Sequence, residues 1–350
     1  MTPTVLRQLC NLTSRDDLIM KAVVFIGKNQ VEFTDLPDPK PGHGEVVVEV
    51  RSSGICHTDY EVLKDNYGTG AFPVVPGHEY AGVVVEVGPG VSNVSTGDRV
   101  AVDPNFECGK CAACKRGWAH LCETLGAYGV TTHGGFGELS LVSSDNIHPI
   151  GELSFQQAAL AEPMGCVLNG VDAIHASWMD EALIFGAGPM GLLMGLALKS
   201  EGVGQVTFCD ISDSRLELAS SFGFGAVATG SDDLQKRHHG ADLVVEATGV
   251  PAVAAQITNY ITNGGKGLFF GVCPSDAKID IAPFEVFRRQ LTIAGSHSLN
   301  HNIPKALDVI ASLGAIADRV VSHSLPLDEI SKLLETTPPV GSLKVQWANG

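Results

Sequence analysis

The sequence has few basic residues and no long apolar run, and both shortages exclude classes of function. Only 23 of its 350 residues are lysine or arginine, against 39 aspartates and glutamates, so the formal net charge is -16. A surface this acidic repels nucleic-acid phosphates and anionic lipid headgroups. No hydrophobic stretch approaches the roughly 20 residues that cross a bilayer. We therefore expect neither a nucleic acid nor a membrane as a partner.

The sequence also lacks the cysteine pattern of a disulfide framework. Nine cysteines are present, and four of them lie together in "ECGKCAACKRGWAHLC", from Glu107 to Cys122. The others are scattered along the chain at Cys10, Cys56, Cys166, Cys209 and Cys273. Clustered cysteines among scattered ones indicate reduced, metal-binding thiols in a cytoplasmic protein.

Residues 1–19 contain no long apolar segment and no small-residue cleavage site, so we do not expect a secretory signal. We predict that 1–19 is a poorly ordered extension and that the folded part begins at Met20.

The remaining sequence predicts two domains of different kinds. From Met20 to about Ile150, short runs such as "EVVVEV" and "RVAV" alternate with Gly, Pro and Asp, which is typical of a compact, barrel-like β domain. From Ser154 onwards, apolar strands such as "EALIF", "QVTFCD" and "LTIAGS" alternate with helical patterns, which indicates a parallel sheet covered by helices. We predict helices over "SFQQAALAEPMGCVLNGVDAI", broken at Pro163, and over "PAVAAQITNYITNG". The predicted domains are 20–163 with 300–350, and 164–299.

The stretch "GAGPMG" at 186–191 matches the G-x-G-x-x-G pattern of a dinucleotide site, and an apolar strand precedes it while a helix follows. In such a site Gly186 permits the tight turn, Gly188 lets a pyrophosphate approach the backbone, and Gly191 lets the helix pack on the strand. Pro189 and Met190 then begin the helix, whose free N–H groups face the phosphates.

Asp210 ends the next strand, where a carboxylate binds the ribose hydroxyls and repels a 2′-phosphate. The sequence therefore predicts NAD rather than NADP. Arg215 could stack on adenine, pair with a phosphate, or lie on the surface as an ordinary helix charge.

Cys108, Cys111, Cys114 and Cys122 are spaced C-x2-C-x2-C-x7-C. Four thiolates on a short loop suit a structural zinc. An iron–sulfur cluster is a second possibility, but the bacterial ferredoxin run ends C-x3-C-P. A zinc ribbon needs two cysteine pairs separated by about a dozen residues or more, and that separation is absent.

Three further motifs are unremarkable separately: "GICHTDYE", "PGHEYAG" and "LAEPMGC". Together with "GDRV", "GGFGE", "EATG", the cysteine loop and "GAGPMG", they resemble the zinc-dependent medium-chain alcohol and polyol dehydrogenases from Met20 to the C-terminus. The resemblance implies an α/β protein with a GroES-like, β-barrel-type catalytic domain and a doubly wound Rossmann coenzyme domain. It also selects structural zinc for the cysteine loop, and therefore two zinc ions per chain.

The resemblance assigns the catalytic zinc to Cys56, His78 and Glu162. Simple alcohol dehydrogenases have a cysteine where this chain has Glu162, whereas the polyol branch has a glutamate. Glu79 resembles a glutamate that ligates the zinc directly or through water in some states, which leaves open whether Glu79 or Glu162 is the resting ligand. Asp59 would orient His78.

The resemblance makes Thr58 the acceptor of the substrate proton and His57 a contact of the cofactor pyrophosphate. The family often has a histidine at the end of the proton relay, where this sequence has Glu61. The proton therefore leaves through Glu61, His57 or water.

The substrate predicted by resemblance is a polyol or sugar alcohol. A primary alcohol, suggested by "CHTD", and threonine are the alternatives. A zinc-free quinone reductase or crystallin-like relative would lack the zinc ligands, so the presence of Cys56, His78 and Glu162 argues against both. A homodimer or homotetramer is expected, with "LTIAGSHS" as a candidate edge, and a substrate pocket is expected near Tyr60, Phe136 and Arg289.

Overall fold

The computed structural model describes residues 19–66, 71–176, 179–336, 338–339 and 341–349. The chain divides into two compact units, Met1–Glu162 with Val321–Gly350, and Pro163–Val320. Of the predicted extension at 1–19, all but Ile19 lies outside the described residues. Ile19 is already part of the first strand, one residue before the predicted start at Met20.

The first unit is built mainly from strands. They are β1 (Ile19–Gly27), β2 (Gln30–Pro37), β3 (Glu45–Gly54), β4 (Glu79–Val87), β5 (Arg99–Val102), β6 (Asn105–Phe106), β7 (Gly126–Ala127), β8 (Leu139–Ser143), β9 (Ile147–Pro149), β16 (Val321–Leu325) and β17 (Lys344–Ala348). Its helices are α1 (His57–Leu63), α2 (Ala112–Lys115), α3 (Phe155–Ala158) and α12 (Leu327–Leu334). Helix α4 (Ala161–Ile174) begins in this unit.

A seven-stranded sheet organises the first unit in the order β16-β17-β3-β4-β5-β9, with β8 also pairing with β3. Smaller sheets join β1 with β2 and β6 with β7. Valines dominate the buried face, and Val48, Val84 and Val100 are fully buried. Because β-branched residues favour the pleated backbone and pack well on it, the valine-rich runs read from the sequence become the central strands.

The second unit is a parallel sheet with intervening helices. Its strands are β10 (Glu181–Phe185), β11 (Gln205–Asp210), β12 (Gly225–Ala228), β13 (Ala241–Glu246), β14 (Ile261–Phe269) and β15 (Thr292–Gly295). Its helices after α4 are α5 (Pro189–Ser200), α6 (Asp213–Ser221), α7 (Asp232–Gln235), α8 (Pro251–Ala254), α9 (Pro283–Arg288), α10 (Ile303–Leu313) and α11 (Ala315–Asp318).

The strand order β12-β11-β10-β13-β14-β15 identifies the second unit as doubly wound. The chain runs outward from β10 to β12, then crosses to β13 on the other side of β10, and every neighbouring pair is parallel. The reversal between β10 and β13 is the switch point at which such sheets bind ligands. The expected α/β fold is therefore confirmed, and β15 lies at an edge as predicted.

Residues 300–320 belong to the second unit, although the sequence-based boundary placed them with the first. Polar contacts explain the difference. Lys305 on α10 lies 3.4 Å from Asp172 and 3.0 Å from Glu201, and Arg319 donates to Ser221 Oγ at 2.7 Å.

Two predicted helices also differ from the structure. The helix around Pro163 breaks at residues 159–160, and Pro163 lies in the first turn of α4, where its missing N–H costs nothing. The stretch "PAVAAQITNYITNG" is not one helix: α8 ends at Ala254, and β14 begins at Ile261, which is buried in the sheet. Among the described residues, no helix combines the length and apolar character needed to cross a membrane.

Candidate functional site

Asp59 connects the two loops that carry Cys56 and His78. It is the third residue of α1, three positions after the cap residue Cys56, and it accepts the N–H of Cys56 at 2.8 Å. Its other oxygen accepts the N–H of Gly77 at 3.2 Å. Asp59 is fully buried, so these bonds satisfy both oxygens in the absence of water. Two segments that are far apart in sequence are thereby held together.

His78 lies directly before β4, which begins with Glu79 opposite Gly54 of β3. The Nδ1 atom of His78 lies 3.4 Å from Asp59 Oδ1. Burial acts to lower the pKa of His78, but the neighbouring Asp59 and Cys56 outweigh it and hold that pKa well above its ordinary value. The imidazole therefore lies between groups that favour a positive charge.

Cys56, His78 and Glu79 form a group that can hold a metal ion. One ligand atom from each lies within 4.8 Å of the other two. In the described part of the chain, Glu79 Oε2 is buried without a hydrogen-bond partner. An unpaired buried carboxylate oxygen is costly, and a cation would remove that cost. Thiolate, imidazole and carboxylate are ligands of catalytic zinc, so these residues fit that ion.

Glu162, the other predicted ligand, does not belong to this 4.8 Å group. It is buried in the first turn of α4, and its charge helps to raise the pKa of Lys344. Glu162 therefore contributes to the electrostatics around the group, whereas Glu79 is the carboxylate that the structure brings to Cys56 and His78.

Lys344 is a member of the site that the sequence interpretation missed. It is buried at the start of β17, and its Nζ atom forms an ion pair with Glu79 Oε1. Burial acts to lower the pKa of Lys344, but Glu79, Cys56 and Glu162 hold it above its ordinary value.

The backbone explains how a residue near the C-terminus reaches this site. The carbonyl of Val345 accepts the N–H of Ile55 at 2.9 Å, which aligns β17 with the end of β3 next to Cys56. In sequence, "GSLKVQW" contains a single lysine beside a short apolar run, which is equally typical of an edge strand. Only the pairing of β17 with β3 shows that this lysine lies at the site and not on an ordinary edge strand.

The three residues that the sequence connects with proton transfer lie on α1. Thr58 is half-buried, whereas His57 is exposed with its Nε2 atom 3.5 Å from Glu61 Oε1. Glu61 accepts a hydrogen bond from Asn66 Nδ2 at 2.7 Å, and this bond, assisted by Lys64, lowers the pKa of Glu61. His57 and Glu61 thus form a polar pair at the surface.

The four cysteines of the loop converge as a second group that can hold a metal ion. All four Sγ atoms lie within 4.8 Å of one another, and those of Cys111 and Cys114 are 3.4 Å apart. The backbone N–H groups of Lys110 and Cys111 lower the pKa of Cys108 to about 6. Four mutually close thiols with N–H donors around them fit a tetrahedral zinc, because zinc binds thiolates rather than thiols.

The "GAGPMG" loop has the backbone that the sequence predicts. Gly186 has a φ of +103°, which favours glycine, and a Cβ on Gly191 would lie 2.0 Å from the Gly186 carbonyl oxygen. Gly188 caps α5 and Pro189 is the first residue of the helix, followed by Met190. The loop thus lies at the carboxyl end of β10, beside the switch point of the sheet.

Asp210 is buried at the end of β11, and two backbone N–H groups hold it. Its Oδ2 atom accepts the N–H of Ala187 at 2.8 Å, and Oδ1 accepts that of Ser212 at 2.9 Å. Arg215 lies 4.0 Å from Asp210 and next to Gly188. The carboxylate is therefore fixed beside the glycine loop.

Two of the side chains expected near a substrate pocket have other roles. Phe136 is fully buried in the core of the first unit. Arg289 donates to the carbonyl oxygens of Thr258 and Ile261, and so satisfies backbone groups in the second unit. The expectation is wrong for both residues. Tyr60 is half-buried against the core, and burial raises its pKa to about 12.

Two protein-family models match the chain. The alcohol dehydrogenase GroES-like domain matches residues 42–152, and the zinc-binding dehydrogenase model matches residues 189–312. The first range contains Cys56, His78 and the four-cysteine loop, and the second contains Asp210.

Three known proteins resemble the chain over most of its length. D-altritol 5-dehydrogenase of Agrobacterium fabrum (strain C58 / ATCC 33970) is 48% identical over 94% of this chain and 99% of its own. D-arabinitol dehydrogenase 1 of Uromyces fabae is 32% identical over 88% and 90%. L-threonine 3-dehydrogenase of Pyrococcus horikoshii is 35% identical over 75% and 78%.

Solved structures share the fold. A zinc-binding dehydrogenase of Sinorhizobium meliloti 1021 bound to NADP superposes with a TM-score of 0.88 at 30% identity, over 95% of this chain and 100% of that one. A short chain alcohol dehydrogenase of Escherichia coli CFT073 complexed with NADH gives 0.86 at 27% identity, over 95% and 99%.

Proposed function

The chain belongs to the zinc-binding alcohol dehydrogenase family, and on that premise we propose that it oxidises a secondary hydroxyl group of a polyol or sugar alcohol to a ketone, with NAD as the hydride acceptor. The observation that carries the proposal is the 48% identity to D-altritol 5-dehydrogenase over nearly the whole of both chains. The likeness to D-arabinitol dehydrogenase 1 supports the same substrate class.

The catalytic metal in this proposal is zinc, held by Cys56, His78 and a carboxylate. Glu79 lies within reach of both side chains, and Glu162 is the further ligand that the resemblance to polyol dehydrogenases adds. When bound, zinc supplies a Lewis acid that lowers the pKa of the substrate hydroxyl. A carboxylate ligand in place of a second thiolate makes the site harder and suits an oxygen-rich substrate.

The protein's own side chains orient the ligands and move the proton. Asp59 fixes the loops of Cys56 and His78 through its two N–H bonds and faces the His78 ring. Thr58 accepts the hydrogen bond of the substrate hydroxyl and passes its proton outward. The pair of exposed His57 and half-buried Glu61 is the candidate exit to water.

The loop of Cys108, Cys111, Cys114 and Cys122 holds a second, structural zinc in this proposal. Four protein ligands fill the tetrahedral shell, so the loop has no open position for a substrate. Its role is to stabilise the first unit.

NAD is the proposed cofactor, and it supplies the acceptor for the hydride that leaves the substrate carbon. The N–H groups at the start of α5 would bind its pyrophosphate, with His57 as a further contact. Asp210 would accept the ribose hydroxyls and repel a 2′-phosphate, and Arg215 beside it would contact the adenosine half.

A homodimer or homotetramer in the cytoplasm completes the proposal. The edge strand β15 supports association, because its outer side is unpaired within the described sheet. The cysteines of the described residues, none of which is in a disulfide, support a cytoplasmic location.

Threonine oxidation is the second candidate, favoured by the 35% identity to L-threonine 3-dehydrogenase. The match to that enzyme covers only 75% of this chain, whereas the match to the altritol enzyme covers 94%, so threonine is placed second. A primary alcohol is third.

Initial rates with C4–C6 polyols, simple alcohols and threonine, each with NAD and with NADP, test the proposal. We expect the highest kcat/KM with a polyol and NAD, and formation of a ketose. A preference for ethanol or threonine would contradict the proposed substrate class, and a preference for NADP would contradict the proposed cofactor.

A further inference from the structure

Lys344 has almost no contact with water, since only 3% of its surface is exposed. A buried ammonium group is costly unless a negative partner compensates it. The partner is Glu79, whose Oε1 atom forms an ion pair with Lys344 Nζ. Both side chains are almost completely buried, so little water screens the pair.

Because of this ion pair, the two carboxylate oxygens of Glu79 differ in their contacts. Oε1 is engaged by Lys344, whereas Oε2 is buried and has no hydrogen-bond partner among the described residues. Glu79 also supplies a ligand atom to the group with Cys56 and His78. Its carboxylate is therefore shared between a fixed ammonium group and a metal position.

Gly54 makes room for this arrangement. A Cβ atom at Gly54 would lie 2.4 Å from Glu79 Oε2, and Cβ atoms in proteins essentially never come that close to another atom. Gly54 pairs with Glu79 across β3 and β4, so the free oxygen lies against bare backbone. The glycine leaves Oε2 its space, and Lys344 fixes Oε1.

We infer that Lys344 is a positioning residue that restricts how Glu79 binds the zinc proposed at Cys56 and His78. The ammonium group competes with the metal for the Glu79 carboxylate, so Glu79 cannot engage the zinc with both oxygens. A coordination position is thereby kept exchangeable for the substrate oxygen. The inference rests on the zinc site of the proposed function, but it does not depend on which alcohol is oxidised.

The test replaces Lys344 by methionine, which keeps the length of the side chain and removes its charge. Without the ammonium group, Glu79 is free to bind the metal more fully. We expect zinc release to a chelator to slow by about tenfold, a change as large as, and opposite in sign to, the smallest loss of metal affinity that follows removal of a supporting outer-shell partner. In the cobalt-substituted protein, we expect the visible d–d bands to weaken as the coordination number rises. KM for the alcohol should rise more than kcat falls.

Three further variants make the test specific. Lys344→Arg keeps the charge and should release zinc at nearly the wild-type rate. Lys332→Met removes the cation of an exposed ion pair with Asp328 in the same unit and should change neither metal readout. In a Glu79→Gln background, Lys344→Met should have no additional effect, because the residue through which it acts is gone. If Lys344→Met does not fold, Lys344→Gln replaces it.

Unchanged or faster zinc release from Lys344→Met, or an effect that persists in the Glu79→Gln background, would overturn the inference. The cobalt spectrum of the wild-type protein separates this failure from failure of the proposed function. A wild-type protein that binds no cobalt at Cys56 contradicts the zinc site itself, whereas identical spectra of wild type and Lys344→Met contradict only the role of Lys344.

Discussion

Asparagine at position 59 keeps the shape of Asp59, but it removes the charge and turns one acceptor oxygen into an N–H2 donor. Asp59 accepts the N–H groups of Cys56 and Gly77, and it lies 3.4 Å from His78 Nδ1. Because both oxygens face donors, no orientation of the amide satisfies all three neighbours. The Asp59→Asn variant therefore weakens the connection between the two ligand loops.

The magnitude follows from these contacts. A hydrogen bond to a charged group contributes about 1.5–3 kcal/mol, and the variant loses one such bond, so we expect a loss of about 2 kcal/mol in unfolding free energy. For a unit of this size that corresponds to a Tm decrease of about 4–8 °C. Zinc affinity at Cys56 and His78 should fall by about 10–100-fold, because Asp59 orients a metal-binding imidazole.

Differential scanning calorimetry gives the Tm, and competition with a chelator gives the zinc affinity. Asp98→Asn is the matched control, since Asp98 accepts the N–H of Ser95 at 2.8 Å in an exposed turn and should lose much less stability. Equal Tm decreases for the two variants, or unchanged zinc affinity in Asp59→Asn, would refute the role given to Asp59.

Three further expectations concern single side chains. If Glu61 ends the proton relay, Glu61→Gln shifts the pH–rate profile, and an unchanged profile excludes that role. Asp210→Asn should raise kcat/KM with NADP relative to NAD by about tenfold, or about 1.4 kcal/mol of repulsion removed, and an unchanged ratio contradicts the predicted selectivity. Burial lowers the pKa of His133, which accepts the Val75 N–H at 3.1 Å. Because the folded pKa lies below the ordinary value of about 6.5, stability is complete above that pH and declines as pH falls through the lowered pKa. His133→Gln should therefore flatten the acid side of a Tm–pH curve, and an unchanged slope would contradict it.

Short-range patterns predict the second unit well. The strands "EALIF" and "QVTFCD" coincide with β10 and β11, because a continuous apolar run bounded by turn residues has few alternatives. The glycine loop follows from steric requirements at Gly186 and Gly191 that other residues do not meet. Asp210 was predictable because it ends the next strand, at the usual separation along the sequence from that loop.

Long-range pairing accounts for what the sequence does not predict. Lys344 reaches the group of Cys56, His78 and Glu79 only because β17 pairs with β3, which lies almost the whole length of the chain away. The assignment of 300–320 likewise depends on contacts of Lys305 and Arg319 with distant partners. The pattern of "PAVAAQITNYITNG" suits a helix, but burial of Ile261 in the sheet overrides that local preference.

The most direct test of the central claim compares zinc content, Tm and turnover in Cys56→Ser and Cys111→Ser. We expect wild type to hold two zinc ions, one at each group of ligands, as the ligand sets imply. Cys56→Ser should lose the ion at Cys56 and its turnover while largely retaining its Tm. Cys111→Ser should show a lower Tm first, with turnover retained in the fraction that remains folded. Normal turnover in Cys56→Ser, or loss of turnover in a folded Cys111→Ser protein that still binds zinc at Cys56, would contradict the division between a working and a structural metal.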